Sequence, residues 1–191
     1  MGTPFTDVYE CFLGKITDDM YVELTPQDTI RDLRHLLTTS VSGFEYPRKN
    51  LYDMTIEEEV KYESELTDDD FSLGTIWDDI GEDEEHKPPR VAVEHSYFGA
   101  DLTPEEIDII AILMMCAWLQ RQITSIENIR MKYSGSDFKM TSQANHLSKL
   151  VALLGECQRQ SHHLQRLYKR RELTNNNLYR STWYKFNTYE D

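Results

Sequence analysis

The sequence has few of the residues that build disulfide frameworks, phosphate-binding loops or membrane spans. Its three cysteines, Cys11, Cys116 and Cys157, are far apart along the chain and odd in number, which favours reduced thiols. The eight glycines are scattered, and none forms a glycine-rich loop before a helix. The longest apolar run, residues 107–119, is shorter than the ~18–20 residues of a membrane helix. The N-terminus has no basic region followed by an apolar one. We therefore expect a reduced, cytosolic protein with no membrane contact.

Motifs for catalysis and for metal binding are also missing. There is no Gly-x-Ser-x-Gly sequence, and Cys116 lies in an apolar stripe where a thiolate is disfavoured. His162 and His163 are adjacent, so on a helix they point about 100° apart and cannot both face one ion. The acidic runs lack the spacing of a calcium-binding hand, although loose cation binding at Asp68-Asp69-Asp70 stays open. The sequence therefore predicts a protein that is not an enzyme and holds no cofactor or metal.

The net charge of −14 is concentrated in the first half of the chain. Residues 1–100 contain 24 acidic and 8 basic residues, whereas residues 101–191 contain 10 acidic and 12 basic ones. DNA should repel the acidic half wherever salt leaves the charges unscreened. Halves of opposite sign favour head-to-tail association with copies of the same chain, or a place in a layered assembly.

Residues 103–171 are predicted to form two long helices joined by a short polar turn, Ser134-Gly135-Ser136-Asp137. Side chains recur at spacings of seven and three in both halves, as in the seam between packed helices. The seam residues are Ile109, Cys116, Ile123 and Arg130 with Ile112, Leu119, Ile126 and Tyr133, then Leu147, Leu154, Ser161 and Tyr168 with Leu150, Cys157, Leu164 and Arg171. Residues 107–115 are too apolar for one partner, so helices at 3–14 and 26–42 should complete a bundle of about four.

Two helix starts carry specific signals. Thr103-Pro104-Glu105-Glu106 predicts a capping box, in which Thr103 and Glu106 exchange hydrogen bonds with each other's backbone amides. Thr3 is predicted to cap the first helix, with Pro4 in its first turn.

The predicted fold is mainly α: a helical bundle built on a long antiparallel helical hairpin, with a small β/loop insertion and an extended C-terminal arm. The helical body comprises residues 1–47 and 101–171, the acidic β/loop insertion residues 48–100, and the aromatic C-terminal arm residues 172–191. Within the insertion, residues 90–94 alternate like a strand, and residues 61–63 are predicted to pair with them.

The C-terminal arm and the basic residues before it are the predicted partner-binding site. A terminal extension this aromatic is expected to dock on this subunit or on another. The predicted partner-binding residues are Trp183, Tyr184, Phe186, Tyr179, Arg170 and Arg171. Two interpretations of the basic cluster stay open; its residues are Arg166, Lys169, Arg170, Arg171 and Arg180. Its aromatic neighbours, Tyr168, Tyr179 and Trp183, could stack nucleic-acid bases. The favoured interpretation is that the basic side chains complement a helix dipole and contact an acidic neighbour.

Several segments resemble the small helical neck proteins of tailed bacteriophages, known as head–tail connectors, adaptors or head-completion proteins. The residues concerned are 32–37 (Asp-Leu-Arg-His-Leu-Leu), 44–48 (Phe-Glu-Tyr-Pro-Arg), 102–107 (Leu-Thr-Pro-Glu-Glu-Ile), the helix pair around residues 133–138, and the C-terminal arm. The acidic segment at 48–99 departs from the pattern.

The resemblance implies a non-enzymatic virion protein at the neck, the head–tail interface, assembled in the host cytoplasm. It implies a homo-oligomeric ring, commonly of twelve subunits, that docks to the portal and to other neck or tail proteins. DNA would then be only passing cargo in a channel that the ring lines, and the C-terminal arm would grip the neighbouring ring. The composition also leaves open a small acidic regulatory binding protein, either an inhibitor or a DNA mimic.

Overall fold

The computed structural model describes residues 2–16, 26–67, 70, 72–76, 90–132, 141–173 and 179–181. At residues 26–27, 72–76, 127–132, 141–145, 172–173 and 179–181 the structure describes the main chain alone.

The chain is mainly helical, as predicted. The described residues contain four α-helices: α1 (Phe5–Leu13), α2 (Pro26–Ser40), α3 (Pro104–Lys132) and α4 (Thr141–Arg170). A 3₁₀ turn, Val41–Gly43, follows α2, and a second one, Glu63–Glu65, lies among the strands.

Seven short strands form antiparallel pairs in the described residues. They are β1 (Met54–Thr55), β2 (Glu58–Tyr62), β3 (Ser72–Ile76), β4 (Arg90–Glu94), β5 (Tyr97–Phe98), β6 (Arg171–Leu173) and β7 (Tyr179–Ser181). The largest sheet has the order β2-β4-β3, while β1 pairs with β5 and β6 with β7. Lys61 lies opposite Val91 and Tyr62 opposite Arg90, which confirms the predicted pairing with the residue 90–94 strand.

Helix α3 is the centre of the core and packs against α1, α2 and α4. Its buried residues include the apolar run predicted to need several partners: Ile109, Ile110, Ala111, Ile112 and Met114. The strand segment joins the same core through Leu51, Ala92 and Phe98. The Phe98 ring lies against the Phe5 ring of α1, with centroids 4.8 Å apart. Helices and strands therefore share one hydrophobic core.

The contacts between α3 and α4 join the start of α3 to the end of α4 and the middle of one helix to the middle of the other. Glu106 contacts Tyr168, and Cys116 contacts Cys157. The predicted turn at residues 134–137 lies outside the described residues.

The capping box at the start of α3 is confirmed. The Thr103 amide donates to Glu106 Oε2 at 2.7 Å, and the Glu106 amide donates to Thr103 Oγ1 at 3.3 Å. The predicted Thr3 cap on α1 is wrong, because Pro4 occupies the N-cap position and no side chain caps this helix. Thr3 Oγ1 instead accepts a hydrogen bond of 2.6 Å from the Leu102 amide.

One segment, Pro104–Ile126 of α3, is long and apolar enough to cross a membrane on length and composition alone. Its most apolar stretch is 44% buried inside the chain. Core helices of globular proteins pass the same test, and α3 contacts three other helices.

Candidate interaction surfaces

The predicted partner-binding residues are distributed between described and undescribed parts of the chain. Trp183, Tyr184 and Phe186 lie outside the described residues, and Tyr179 lies opposite Leu173 in the β6–β7 pair. Arg170 is exposed at the end of α4. Arg171 forms an ion pair of 2.9 Å with Glu105. The Arg171 guanidinium is thus already engaged within its own chain.

Tyr168 does not have the exposure that base stacking requires, so that interpretation of this residue is wrong. Only 1% of the residue is exposed, and its ring meets that of Phe44 edge-on at 5.4 Å. The Arg48 guanidinium covers a ring face at 4.2 Å from the centroid. The buried hydroxyl, which cannot bond to water, donates a hydrogen bond to Glu106.

Glu106 is a buried carboxylate that joins the start of α3 to the end of α4. Besides the Tyr168 hydroxyl, it accepts hydrogen bonds from the Thr103 amide and hydroxyl and from Lys49 Nζ at 3.2 Å. Burial raises the pKa of Glu106. The hydrogen bonds from Tyr168 and Thr103 and the charge of Lys49 together lower it by more than burial raises it, so the net pKa lies below its usual value.

The Glu106→Gln variant should lose about 1–3 kcal/mol of unfolding free energy at pH 7, because a neutral amide cannot satisfy the same donors. A carboxyl whose pKa is depressed by folding contributes stability above its unfolded pKa of about 4.3, and that contribution disappears as pH falls through the folded pKa. Urea unfolding at pH 7, 5, 4 and 3 should therefore show the deficit of the variant shrinking below pH ~4.

The exposed Glu10 of α1 provides the matched control. Glu10→Gln should change stability by less than about 0.5 kcal/mol at pH 7. A Glu106→Gln deficit that stayed constant down to pH 3 would contradict the assigned charge state.

A second buried charge cluster joins α2 to the sheet. Arg34 of α2 donates to Glu94 of β4 and, at 2.9 Å, to Glu58 of β2. The Glu94 side chain has no exposed surface. Burial, and next the Glu94 carboxylate, raise the pKa of the neighbouring Tyr9 phenol, so this hydroxyl stays protonated. Because this ion pair joins α2 to the sheet, we interpret it as a structural contact and not as a binding site.

The outer strand of the largest sheet forms an acidic edge, which we define as residues 56–65. In the described sheet β2 has a neighbour on one side only, namely β4. Five exposed glutamates lie here, at positions 57, 58, 59, 63 and 65, with one base, Lys61. Between them Ile56, Val60 and Tyr62 are exposed, Val60 at 51%. An edge strand that exposes apolar side chains is typical of a surface that contacts another chain.

The outer side of α4 forms a basic face. The helix contains one acidic residue, Glu156, and five basic ones, all of them exposed: Lys149, Arg159, Arg166, Lys169 and Arg170. Two aliphatic side chains, Val151 at 51% and Leu153 at 44%, are also exposed on this helix. Helix α4 packs against the core along its described length, whereas these aliphatic and basic side chains are exposed. The residues that pack are Leu150, Leu154, Cys157, Leu164 and Tyr168.

The two surfaces lie on elements that are linked through a series of contacts. The sheet, which has the acidic edge, contacts α2 through β3; α2 contacts α3; and α3 contacts α4, which has the basic face. Two different surfaces of opposite charge are what a head-to-tail contact between copies requires.

The sequence-based prediction placed partner binding in the C-terminal arm and the basic residues before it, and it expected the oppositely charged halves to associate head to tail. It did not single out residues 56–65 or the exposed side of α4. The signals were present: alternation of glutamate with Val60 and Tyr62, and a thirty-residue helix with a single acid. The prediction also missed the contact between Cys116 and Cys157, although both residues are on its seam lines.

Comparison of the chain with protein-family models, with curated proteins and with solved structures finds no match. Function is therefore inferred from the surfaces described above.

Proposed function

We propose that this chain is a structural protein that assembles head to tail with copies of itself, the acidic edge of one copy contacting the basic face of the next. The observation that carries the proposal is the pairing of complementary charge with exposed apolar side chains on both surfaces. Apolar contact supplies affinity, and complementary charge fixes orientation and disfavours like-to-like contacts.

In this proposal α3 and α4 form the long antiparallel hairpin that acts as the spine of the subunit. The contacts of Glu106 with Tyr168 and of Cys116 with Cys157 support this arrangement, because residues advance along α3 as they recede along α4. The basic face lies on the exposed side of α4.

Head-to-tail contacts close into a ring when the rotation between neighbours is an integral fraction of a turn. Together with the resemblance to bacteriophage neck proteins, this leads to the specific form of the proposal. The chain is a ring-forming head–tail connector of the virion neck that docks to the portal and lines the DNA channel. A strongly acidic subunit suits such a channel, because it repels the DNA backbone and lets DNA pass without binding.

Charge reversal tests the contact directly. The double variant Lys149→Glu/Arg159→Glu should lower the association constant at least about tenfold, because like charges then face each other across the contact. The double variant Glu57→Lys/Glu63→Lys should do the same from the other side. An equimolar mixture of the two variants should recover assembly, since each reversed surface meets a complementary one. Light scattering and negative-stain imaging of the wild type, each variant and the mixture provide the measurement.

Arg31, an exposed cation of α2 that is on neither surface, provides a matched control. Arg31→Glu should assemble like the wild type. If the wild type stayed monomeric at high concentration, with the portal-side partner also present, the ring proposal would be abandoned. If the wild type formed rings that neither double variant weakened, the ring would stand and the assigned contact would be wrong.

The acidic edge also supports a second candidate function, a small acidic regulatory protein that occupies the nucleic-acid site of its target. Its five exposed glutamates are the supporting observation. Such a protein would remain a monomer or dimer in the light-scattering experiment and would compete with DNA for a basic partner.

A further inference from the structure

Two thiols from different helices meet in the middle of the α3–α4 contact. The Sγ atoms of Cys116 and Cys157 are 2.8 Å apart, although the residues are separated by 41 positions in the sequence. Both are free cysteines. A disulfide has a sulfur–sulfur bond of about 2.05 Å, so bond formation requires the two sulfurs to approach by less than about 1 Å.

The two sulfurs have different surroundings. Cys157 is buried, and its thiol donates to the Ile112 carbonyl at 3.5 Å. Cys116 is only partly buried. The contact between the two thiols lowers the pKa of Cys116, whereas this contact, and next burial, raise the pKa of Cys157. Because Cys116 is the less buried of the two thiols, it is assigned as the one that meets the oxidant first.

A metal centre fits this pair less well than redox chemistry. In the part of the chain that the structure describes, no group of three or more His, Cys, Asp or Glu side chains is placed to hold a metal ion. Two adjacent thiols of unequal burial are instead the arrangement of an attacking and a resolving cysteine.

We propose that Cys116 and Cys157 form an oxidative modification site at which a peroxide closes a disulfide between α3 and α4. The Cys116 thiolate attacks a peroxide oxygen and breaks the O–O bond, giving a sulfenic acid at Cys116. The displaced hydroxide takes up the proton that Cys116 released and becomes water. The Cys157 sulfur then attacks the Cys116 sulfur, and the sulfenic hydroxyl leaves as water with the Cys157 proton. Two thiols and one hydrogen peroxide give one disulfide and two waters.

Cys11 serves as an internal comparison. It lies on α1, and its Sγ is 4.0 Å from the Asp108 carboxylate of α3. Burial, opposed in part by Lys15 and reinforced by Asp108, raises the pKa of the Cys11 thiol. Peroxide should therefore leave Cys11 reduced while the pair reacts.

The test uses the full-length reduced protein and hydrogen peroxide. Intact-mass analysis after alkylation should show the loss of two hydrogens per chain and the loss of two alkylatable thiols, so that one alkylatable thiol, that of Cys11, remains. Peptide mapping without reduction should locate the bond between Cys116 and Cys157. The folded chain should form this bond at least about tenfold faster than the chain unfolded in urea, because folding holds the two sulfurs together. Oxidation should raise the melting temperature by about 10 °C, as expected for a cross-link that closes a long loop.

The variants separate the proposal from a nonspecific reaction. Cys11→Ser should keep the bond and the rise in melting temperature, whereas Cys116→Ser and Cys157→Ser should lose both. Circular dichroism of the reduced variants establishes whether they fold. The comparison of folded with urea-unfolded wild type needs no variant at all. A bond to Cys11, sulfinic acid at Cys116 without a bond, or equal rates in the folded and unfolded chains would overturn the proposal.

Discussion

Replacing Arg34 by alanine is expected to lower the free energy of unfolding by about 3–5 kcal/mol. The cost arises because the Glu94 carboxylate has no exposed surface and would lose its cationic partner inside the fold. The hydrogen bond to Glu58 would be lost as well, but Glu58 is exposed to solvent and contributes less. Urea unfolding followed by circular dichroism at pH 7 measures the change.

A double replacement separates the loss of the ion pair from the burial of an unpaired charge. Arg34→Met/Glu94→Leu replaces both charges by apolar side chains and should be within about 2 kcal/mol of the wild type, because no unpaired charge stays buried. Arg31→Ala, an exposed neighbour on the same helix, should change stability by less than about 0.5 kcal/mol. If Arg34→Ala matched Arg31→Ala, the pair would not be buried in solution.

Replacing Phe98 by alanine is expected to cost about 3–5 kcal/mol, the usual range for a buried phenylalanine. The residue has no exposed surface, and its ring packs against Phe5 of α1. The large effect follows from its place in the common core, because loss of the ring leaves a cavity between the strand segment and α1. Thermal and urea unfolding, monitored by tryptophan fluorescence and by circular dichroism, measure this effect.

Tyr52, another aromatic of the strand segment, is 69% exposed and provides the control. Tyr52→Ala should change stability by less than about 0.5 kcal/mol. The two probes should report one coincident transition for Phe98→Ala, because helices and strands share one core. Early loss of the strand segment, with the helical signal intact, would mean that the strands form a separately unfolding unit.

Local patterns predicted the elements of this fold well. The capping box needs only residues three positions apart, and the helical periodicity of α3 and α4 needs only one turn of neighbours. Pairing of residues 61 and 62 with the strand Arg90–Glu94 could also be predicted, since alternating residues mark both partners.

Contacts between distant residues were not predicted. Arg34 and Glu94 are 60 positions apart, and nothing in the neighbourhood of either residue indicates its partner. Thr3 has the sequence of a helix cap, yet the Leu102 amide, 99 positions away, binds its hydroxyl. The thiol pair was closer to prediction, because both cysteines occupied seam positions. The missing information was the relative register of the two helices, which packing across the core determines.

The candidate surfaces were missed for a related reason. Exposure depends on what the rest of the chain leaves uncovered, whereas the sequence shows only composition and order. Tyr168 illustrates the point: in the sequence it is an aromatic residue in a basic cluster, but in the fold it is a buried side chain beneath Arg48.

The N-terminal segment is held by residues that the ribosome adds about a hundred positions later. The Thr3 amide donates to the Ala100 carbonyl at 3.2 Å, the Phe98 amide donates to Thr3 at 2.8 Å, and the Phe5 amide donates to Ser96 at 2.9 Å. Helix α1 also has its apolar side against α3, which is made later still. During synthesis α1 therefore emerges early with four buried-type side chains exposed, namely Phe5, Val8, Tyr9 and Phe12. We expect nascent chains that end before α3 to need chaperone protection. Native structure should appear only after most of the second half of the chain has left the ribosome.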